Sequence, residues 1–262
     1  MTTRMLAILA VLATSAPAHA DVTIKASGTG EGLGMSGTSS STTYIKGLKM
    51  RVDGTLGKRA SSTIFDVDNQ KMYVLDEKKK QAEVWNMTAV SEEVSNSVSV
   101  GGIQTTIKPN GQTKQIAGLN AEGYDLEIIV PATLGGPGGV AVTIVMNGTT
   151  FVVKGAPGSQ DYSAFYAGAA EKGWIFSDPR AAKGQPGQAR AMAQMYAEFA
   201  KLGGLPYESD MHIKLQSEGV MGGLMAKMGN VTTTSNIESV DAGALADSLF
   251  QPPADYELKQ KN

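Results

Sequence analysis

Apolar and polar residues alternate with a period of two through most of the N-terminal third of the chain. VTIKAS (22–27), TTYIKG (42–47), LKMRVDG (48–54), TIFDV (63–67), KMYVLD (71–76) and QAEVW (81–85) each read as a strand. In each, β-branched and aromatic residues alternate with polar ones. Asp68-Asn69 and Glu77 to Lys80 separate the last three and supply turn chemistry. Links this short predict an antiparallel meander. The period then becomes helical, with Met87, Val90, Val94 and Val98 on one face and Glu92 and Glu93 opposite. IQTTIK (103–108), TKQIAG (113–118) and EGYDLEIIV (122–130) return to strand character. VTIVM-NG-TTFVV (142–153) predicts a hairpin, because Asn147-Gly148 tolerates the two positive φ angles of a type I′ turn.

Two amphipathic helices are predicted next. The first has Ser159 as cap, Tyr162, Phe165, Tyr166 and Ala169 on its apolar face, and Gly173 as its stop. The second presents Met192, Met195, Tyr196, Phe199 and Leu202, and ends at Gly203-Gly204. Residues 177–188 between them read as a polar loop. ESDMHIKLQS (208–217) and NVTTTSNIESV (230–240) are strands again, followed by a short turn, LADSLF, and an extended tail, QPPADYEL. Strands, a short helix, strands, two helices and strands make an α+β order: an antiparallel sheet with its helices to one side.

The ends and the composition narrow the class. MTTRMLAILAVLATSAPAHA has a basic residue, Arg4, a short apolar run and a small-x-small site at Ala18-His19-Ala20. This is a signal-peptide pattern with cleavage expected after Ala20, export to the periplasm, and a single domain over 21–262. No later apolar run is long enough to span a bilayer. The chain has no Cys, so a packed core and not disulfides must stabilise it. A net charge of −2, with the charges dispersed, leaves no footprint for nucleic acid. The 31 glycines favour short strands and turns over a helical bundle.

Catalytic chemistry finds little support. Asp66, Asp68, Gln70 and Glu77 have the outline of a calcium loop, but Lys71 stands where the sharp turn calls for Gly. GLGMSG (32–37) matches a dinucleotide fingerprint yet leads into strand, not into a helix N-terminus. After residue 20 the one histidine is His212, and no G-x-S-x-G elbow precedes a helix. The expectation is a non-enzymatic protein without cofactor or metal. The Met-rich segment 219–230 reads either as core or loop, or as a lipid-facing flap formed by Met221, Met225 and Met228.

LKMRVDG, STIFDVDNQKMYVLDEKKKQAEVW, TKQIAGLNAEGYDL and DSLFQPPADYEL stand in an order that resembles an uncharacterised family of exported bacterial proteins. That family, a domain of unknown function, is itself similar to the periplasmic lipoprotein carriers of the LolA and LolB kind. Ala121 stands where the family often has Cys, and Asp255 where it often has Gly. The resemblance implies a strongly curved, unclosed antiparallel half-barrel with helices covering its concave face. It also implies a hydrophobic ligand, a lipid or lipoprotein acyl chain, held between sheet and helices. The residues expected to line that space are Tyr73, Leu75, Trp85, Phe165, Tyr166, Met192, Tyr196 and Phe199. Arg51 is a candidate for a lipid head group. The alternative is a protein-binding module of the cell envelope with a filled core.

Overall fold

The computed structural model describes residues 21–32, 35–97, 102–134, 140–217 and 230–261. Residues 1–20, Val98 and the Met-rich candidates Met221, Met225 and Met228 lie outside the described residues.

The first six strands form the expected meander: β1 (Val22–Gly32), β2 (Met35–Lys46), β3 (Lys49–Leu56), β4 (Arg59–Asp66), β5 (Lys71–Asp76) and β6 (Gln81–Asn86). Helix α1 (Met87–Ser97) follows, its first turn capped by Asn86, whose Oδ1 accepts the Thr88 N–H at 3.1 Å. A second meander is built from β7 (Gln104–Ile116), β8 (Leu119–Leu134) and β9 (Val140–Lys154). After helices α2 (Ser159–Glu171), α3 (Pro179–Gly184) and α4 (Pro186–Leu202) come β10 (Gly204–Gln216), β11 (Val231–Ala242) and the terminal β12 (Glu257–Lys261). All twelve strands join one sheet in the order β12-β6-β5-β4-β3-β2-β1-β11-β10-β9-β8-β7. Strands β10 and β11 join the two meanders, β11 pairing with β1 and β10 with β9, and the sheet does not close. Every pairing is antiparallel except β12 on β6.

At about 4.8 Å between neighbours, twelve strands laid flat would be roughly 50 Å wide. Yet one apolar cluster gathers Trp85 of β6, Met50 of β3, Ile24 of β1, Leu205 of β10 and Ala121 of β8 with Phe165 and Tyr166 of α2. A sheet this wide reaches one cluster only by curving around it. The architecture is therefore an α+β unclosed half-barrel, with the helices on one face.

Several local expectations need correction. Asn147-Gly148 is not a turn: β9 runs unbroken, and Gly148 sits opposite Leu126 on one side and Met211 on the other. Long strands on both flanks offer a partner along nearly the whole of β9, which a hairpin would forfeit. The glycine answers a close approach instead, since a Cβ there would lie 1.9 Å from the Asp210 carbonyl oxygen. IQTTIK and TKQIAG belong to one strand, β7, with its register interrupted between Pro109 and Thr113. Residues 177–188 are not simply a loop but contain α3, capped by Asp178.

If β9 is continuous, Asn147→Thr leaves stability within about 0.5 kcal/mol, because threonine suits a strand. Gly148→Ala should cost roughly 1–3 kcal/mol through overlap with Asp210. Urea midpoints measure both, and a damaging Asn147→Thr beside a silent Gly148→Ala would restore the hairpin.

Candidate functional site

The helix layer begins at a tight entry. Gly158, at φ 73°, caps α2, so Ser159 is the buried first helical residue and not the cap expected for it. A Cβ on Gly158 would lie 2.2 Å from Val22 Cγ2. This closeness fixes α2 against the start of β1. At the other end Gly173 takes φ 66°, and the N–H groups of Gly173 and Trp174 donate to Ala170 O and Ala169 O at 3.0 and 2.9 Å. The turn folds Trp174, Ile175 and Phe176 back into the core. Helix α4 stops in the same way at Gly203, φ 68°.

These geometries converge on a cluster of rings. Tyr166 of α2 and Tyr196 of α4 stack at 4.6 Å with 9° between their planes. Phe176 packs on both, at 5.0 and 4.9 Å. Phe165 and Tyr162 contact Tyr166 at 5.2 and 4.7 Å, and Phe65 of β4 reaches Phe176 at 6.2 Å. The Tyr166 hydroxyl donates to Met50 Sδ at 3.8 Å. Burial pushes the Tyr162, Tyr166 and Tyr196 phenols up from their ordinary value, so all three stay protonated and neutral. In the wider apolar core around these rings, two donors have no acceptor among the described residues: Trp85 Nε1 and Trp174 Nε1, on residues only 6% and 1% exposed.

The structure divides the residues expected to line the space. Trp85, Phe165 and Tyr166 belong to the helix-side cluster, and Tyr196 packs against it. Phe199 is buried on α4, and Met192 is half-buried there. Tyr73 and Leu75 are not with them. Met72 and Val74 take the helix side of β5, so the strand's period of two turns Tyr73 and Leu75 to the opposite face. There they pack with Ile64, Ala82 and Phe250. Arg51 lies on that face too, where its Nε donates to Asp53 at 2.9 Å and its Nη1 to Leu249 O at 3.4 Å. It ties down the C-terminal segment. Phe176, a member of the ring cluster, and Trp174, buried in the core around it, were missed; the apolar run Trp174-Ile175-Phe176 directly after a helix-stopping glycine was the signal.

Two of the clefts on the described surface have volumes of about 420 and 360 Å³, and neither is lined by α1 to α4. At its rim the helix layer is pinned by ion pairs: Arg180 to Glu83 at 3.3 Å, Lys183 to Glu93 at 2.8 Å and Lys172 to Asp68 at 3.2 Å. Solvent-exposed pairs of this kind contribute little and are easily broken.

No family model matches the chain, and no curated protein matches it. Among solved structures it is similar to an uncharacterized conserved protein from Thermus thermophilus, at 8% identity over 93% of this chain and 92% of that one, TM-score 0.41. It is also similar to a LolA superfamily protein from Nitrosomonas europaea, at 9% identity over 89% of this chain and 91% of that one, TM-score 0.29. A DUF1329 family protein from Desulfovibrio piger matches at 9% identity over 90% and 91%, TM-score 0.30.

Removing the stacked ring should loosen the layer: Tyr196→Ala is expected to cost about 3 kcal/mol by denaturant unfolding. A cost below about 1 kcal/mol would show that the ring is not a structural contact. Asp178 gives a pH signature. Its hydrogen bond from Arg180, then the Arg180 N–H at the cap, hold its carboxyl below the ordinary 3.8 against the opposing effect of burial. A depressed folded value stabilises above pH 3.8 and is lost as pH falls through it. Asp178→Asn should therefore lower the thermal midpoint at neutral pH, with the deficit closing in acid. A deficit that persists unchanged at low pH would contradict this assignment.

Proposed function

We propose that this protein is a non-catalytic binding protein that acts in the periplasm and holds an acyl chain or another lipophile between its helix layer and its sheet. The carrying observation is the pair of buried indole N–H groups, Trp85 Nε1 and Trp174 Nε1, which among the described residues find no acceptor inside the apolar core. A buried donor without a partner costs about 1–3 kcal/mol. The carbonyl or carboxylate of a lipid would offset that cost while its chain joins the rings.

The rings occupy the space and must part for a guest. Each ring pair is worth about 0.5–1.5 kcal/mol beyond its buried area. Each buried methylene of a chain returns about 0.8 kcal/mol, so some ten methylenes outweigh the loss of several ring contacts. The seam between α2 and α4, closed by Tyr166 on Tyr196, is the natural place to open. Periplasmic action is supported by the signal-like pattern of residues 1–20, and among the described residues no helix is long and apolar enough to cross a membrane.

One observation favours a second reading, a protein-binding module with a filled core: the rings of α2, α4 and Phe176 already touch one another, and Phe65 of the sheet reaches Phe176. A protein partner would take a face and not an edge. The β12 edge is short and carries Lys259 and Lys261, and β7 is interrupted at Pro109 between Lys108 and Lys114.

Native mass spectrometry of protein isolated from its own envelope, with solvent extraction, separates the readings. A co-purifying lipophile and saturable binding of a fluorescent fatty-acyl probe are expected, and Phe199→Asp should abolish probe binding. A clean extract together with an inert probe would discard the carrier reading. Wild-type probe affinity in a folded Phe199→Asp variant would place the guest away from α4.

A further inference from the structure

The C-terminal segment makes a second site, on the other side of the sheet and independent of the lipid reading. From Ala242 the chain crosses the face of the meander turned away from the helices. It is held there by Lys46, which donates to Leu245 O at 2.7 Å, and by Arg51. Phe250, at the end of a 3₁₀ turn (Asp247–Phe250), is 1% exposed among Ile64, Leu75 and Ala82. Pro252 and Pro253 then prevent ladder pairing, because proline has no N–H to donate. The chain arches clear of the sheet until Glu257 N donates to Lys80 O at 2.9 Å and β12 begins.

Beneath the arch lies the cleft of about 420 Å³. Lys49, Asp66 and Tyr73 form its floor, and Pro252, Pro253 and Tyr256 its roof. A volume of this order suits a small molecule. Lys49 and Asp66 stand directly opposite in the β3–β4 ladder, so both side chains rise from the same face. Asp66 is only 6% exposed and accepts from Asn69 N and Nδ2 at 3.2 and 2.8 Å. An ionised carboxylate has about four acceptor sites, so two hydrogen bonds leave capacity. Among the described residues neither Asp66 nor Lys49 has an ion-pair partner within 4.0 Å. The Lys49 charge acts at range on Asp247. Burial first, then the Asp66 charge, push the Tyr73 phenol up, which keeps it a neutral donor beside the carboxylate.

We propose that this cleft binds a small zwitterion with an apolar side chain, of the hydrophobic α-amino acid class. Its ammonium meets Asp66, its carboxylate meets Lys49, and its side chain lies against Tyr73, Tyr256 and the two prolines. A buried carboxylate with acceptor sites to spare and an amine beside it are complementary to a ligand carrying both charges. The aromatic and proline walls require an apolar body.

Isothermal titration of the full chain with L-leucine and L-phenylalanine tests this directly. Isopentylamine and isocaproate serve as the arms that keep one charge each. Saturable binding of an amino acid is expected, about tenfold weaker for each one-charge analogue and for Asp66→Asn or Lys49→Met. Asp66→Asn keeps an acceptor for Asn69 N and Lys49→Met keeps the stem, so circular dichroism should be unchanged. Should either variant unfold, the analogue arms on the unaltered protein decide. No heat from either amino acid up to about 10 mM would overturn the proposal, as Lys49 and Asp66 would then simply satisfy each other. Analogues binding as well as leucine, or folded variants binding as well as the unaltered protein, would overturn it equally.

Discussion

Side chains alternate across a strand, so a strand with apolar residues at consecutive positions presents a greasy surface on both faces and has to be covered twice. This constraint organises the protein. On β5, Met72 and Val74 face the helices while Tyr73 and Leu75 face away. On β4, Phe65 and Ile64 divide in the same manner. One cover is the helix layer, supplied by α1 after β6 and by α2 to α4 after β9. The other is the C-terminal segment, which crosses the outer face and plants Phe250 in it. Both covers are connections of the sheet itself, so folding the sheet in its observed order brings each cover to its face.

The two covers differ in chemistry. The helix side is made of large rings that pack on each other, with two indole N–H groups that find no acceptor among the described residues. The tail side is thin: one buried phenylalanine, two prolines and a short strand whose side chains are largely exposed. A thick aromatic layer can open along a seam and exchange ring contacts for contacts with a guest. A thin arch over charged residues leaves a standing gap instead. Two faces of one sheet thus offer two kinds of site, one apolar and closed, the other mixed in polarity and open.

The meander and the amphipathic helices were legible in the sequence because period two and period 3.6 are local properties. The face each residue takes was not. Tyr73 and Leu75 are as apolar as Met72 and Val74, and only the late-arriving tail makes their side an interior. Asn147-Gly148 misled for a related reason. The pair is turn chemistry when read locally, while its glycine is needed because β10 passes so close to it. Gly158 hid a cap behind Ser159 in the same way, through its contact with Val22. The missed features are those set by the approach of distant segments.

The account stands or falls on whether a guest enters the ring-lined side. The chain has two tryptophans, so a nitrogen-15 spectrum contains two indole signals, from Trp85 and Trp174, and both report from inside that cluster. Titrating lauric acid below its micellar concentration should move both signals downfield and saturate, as each N–H gains an acceptor. Two signals that stay in place while fatty acid is added would contradict it.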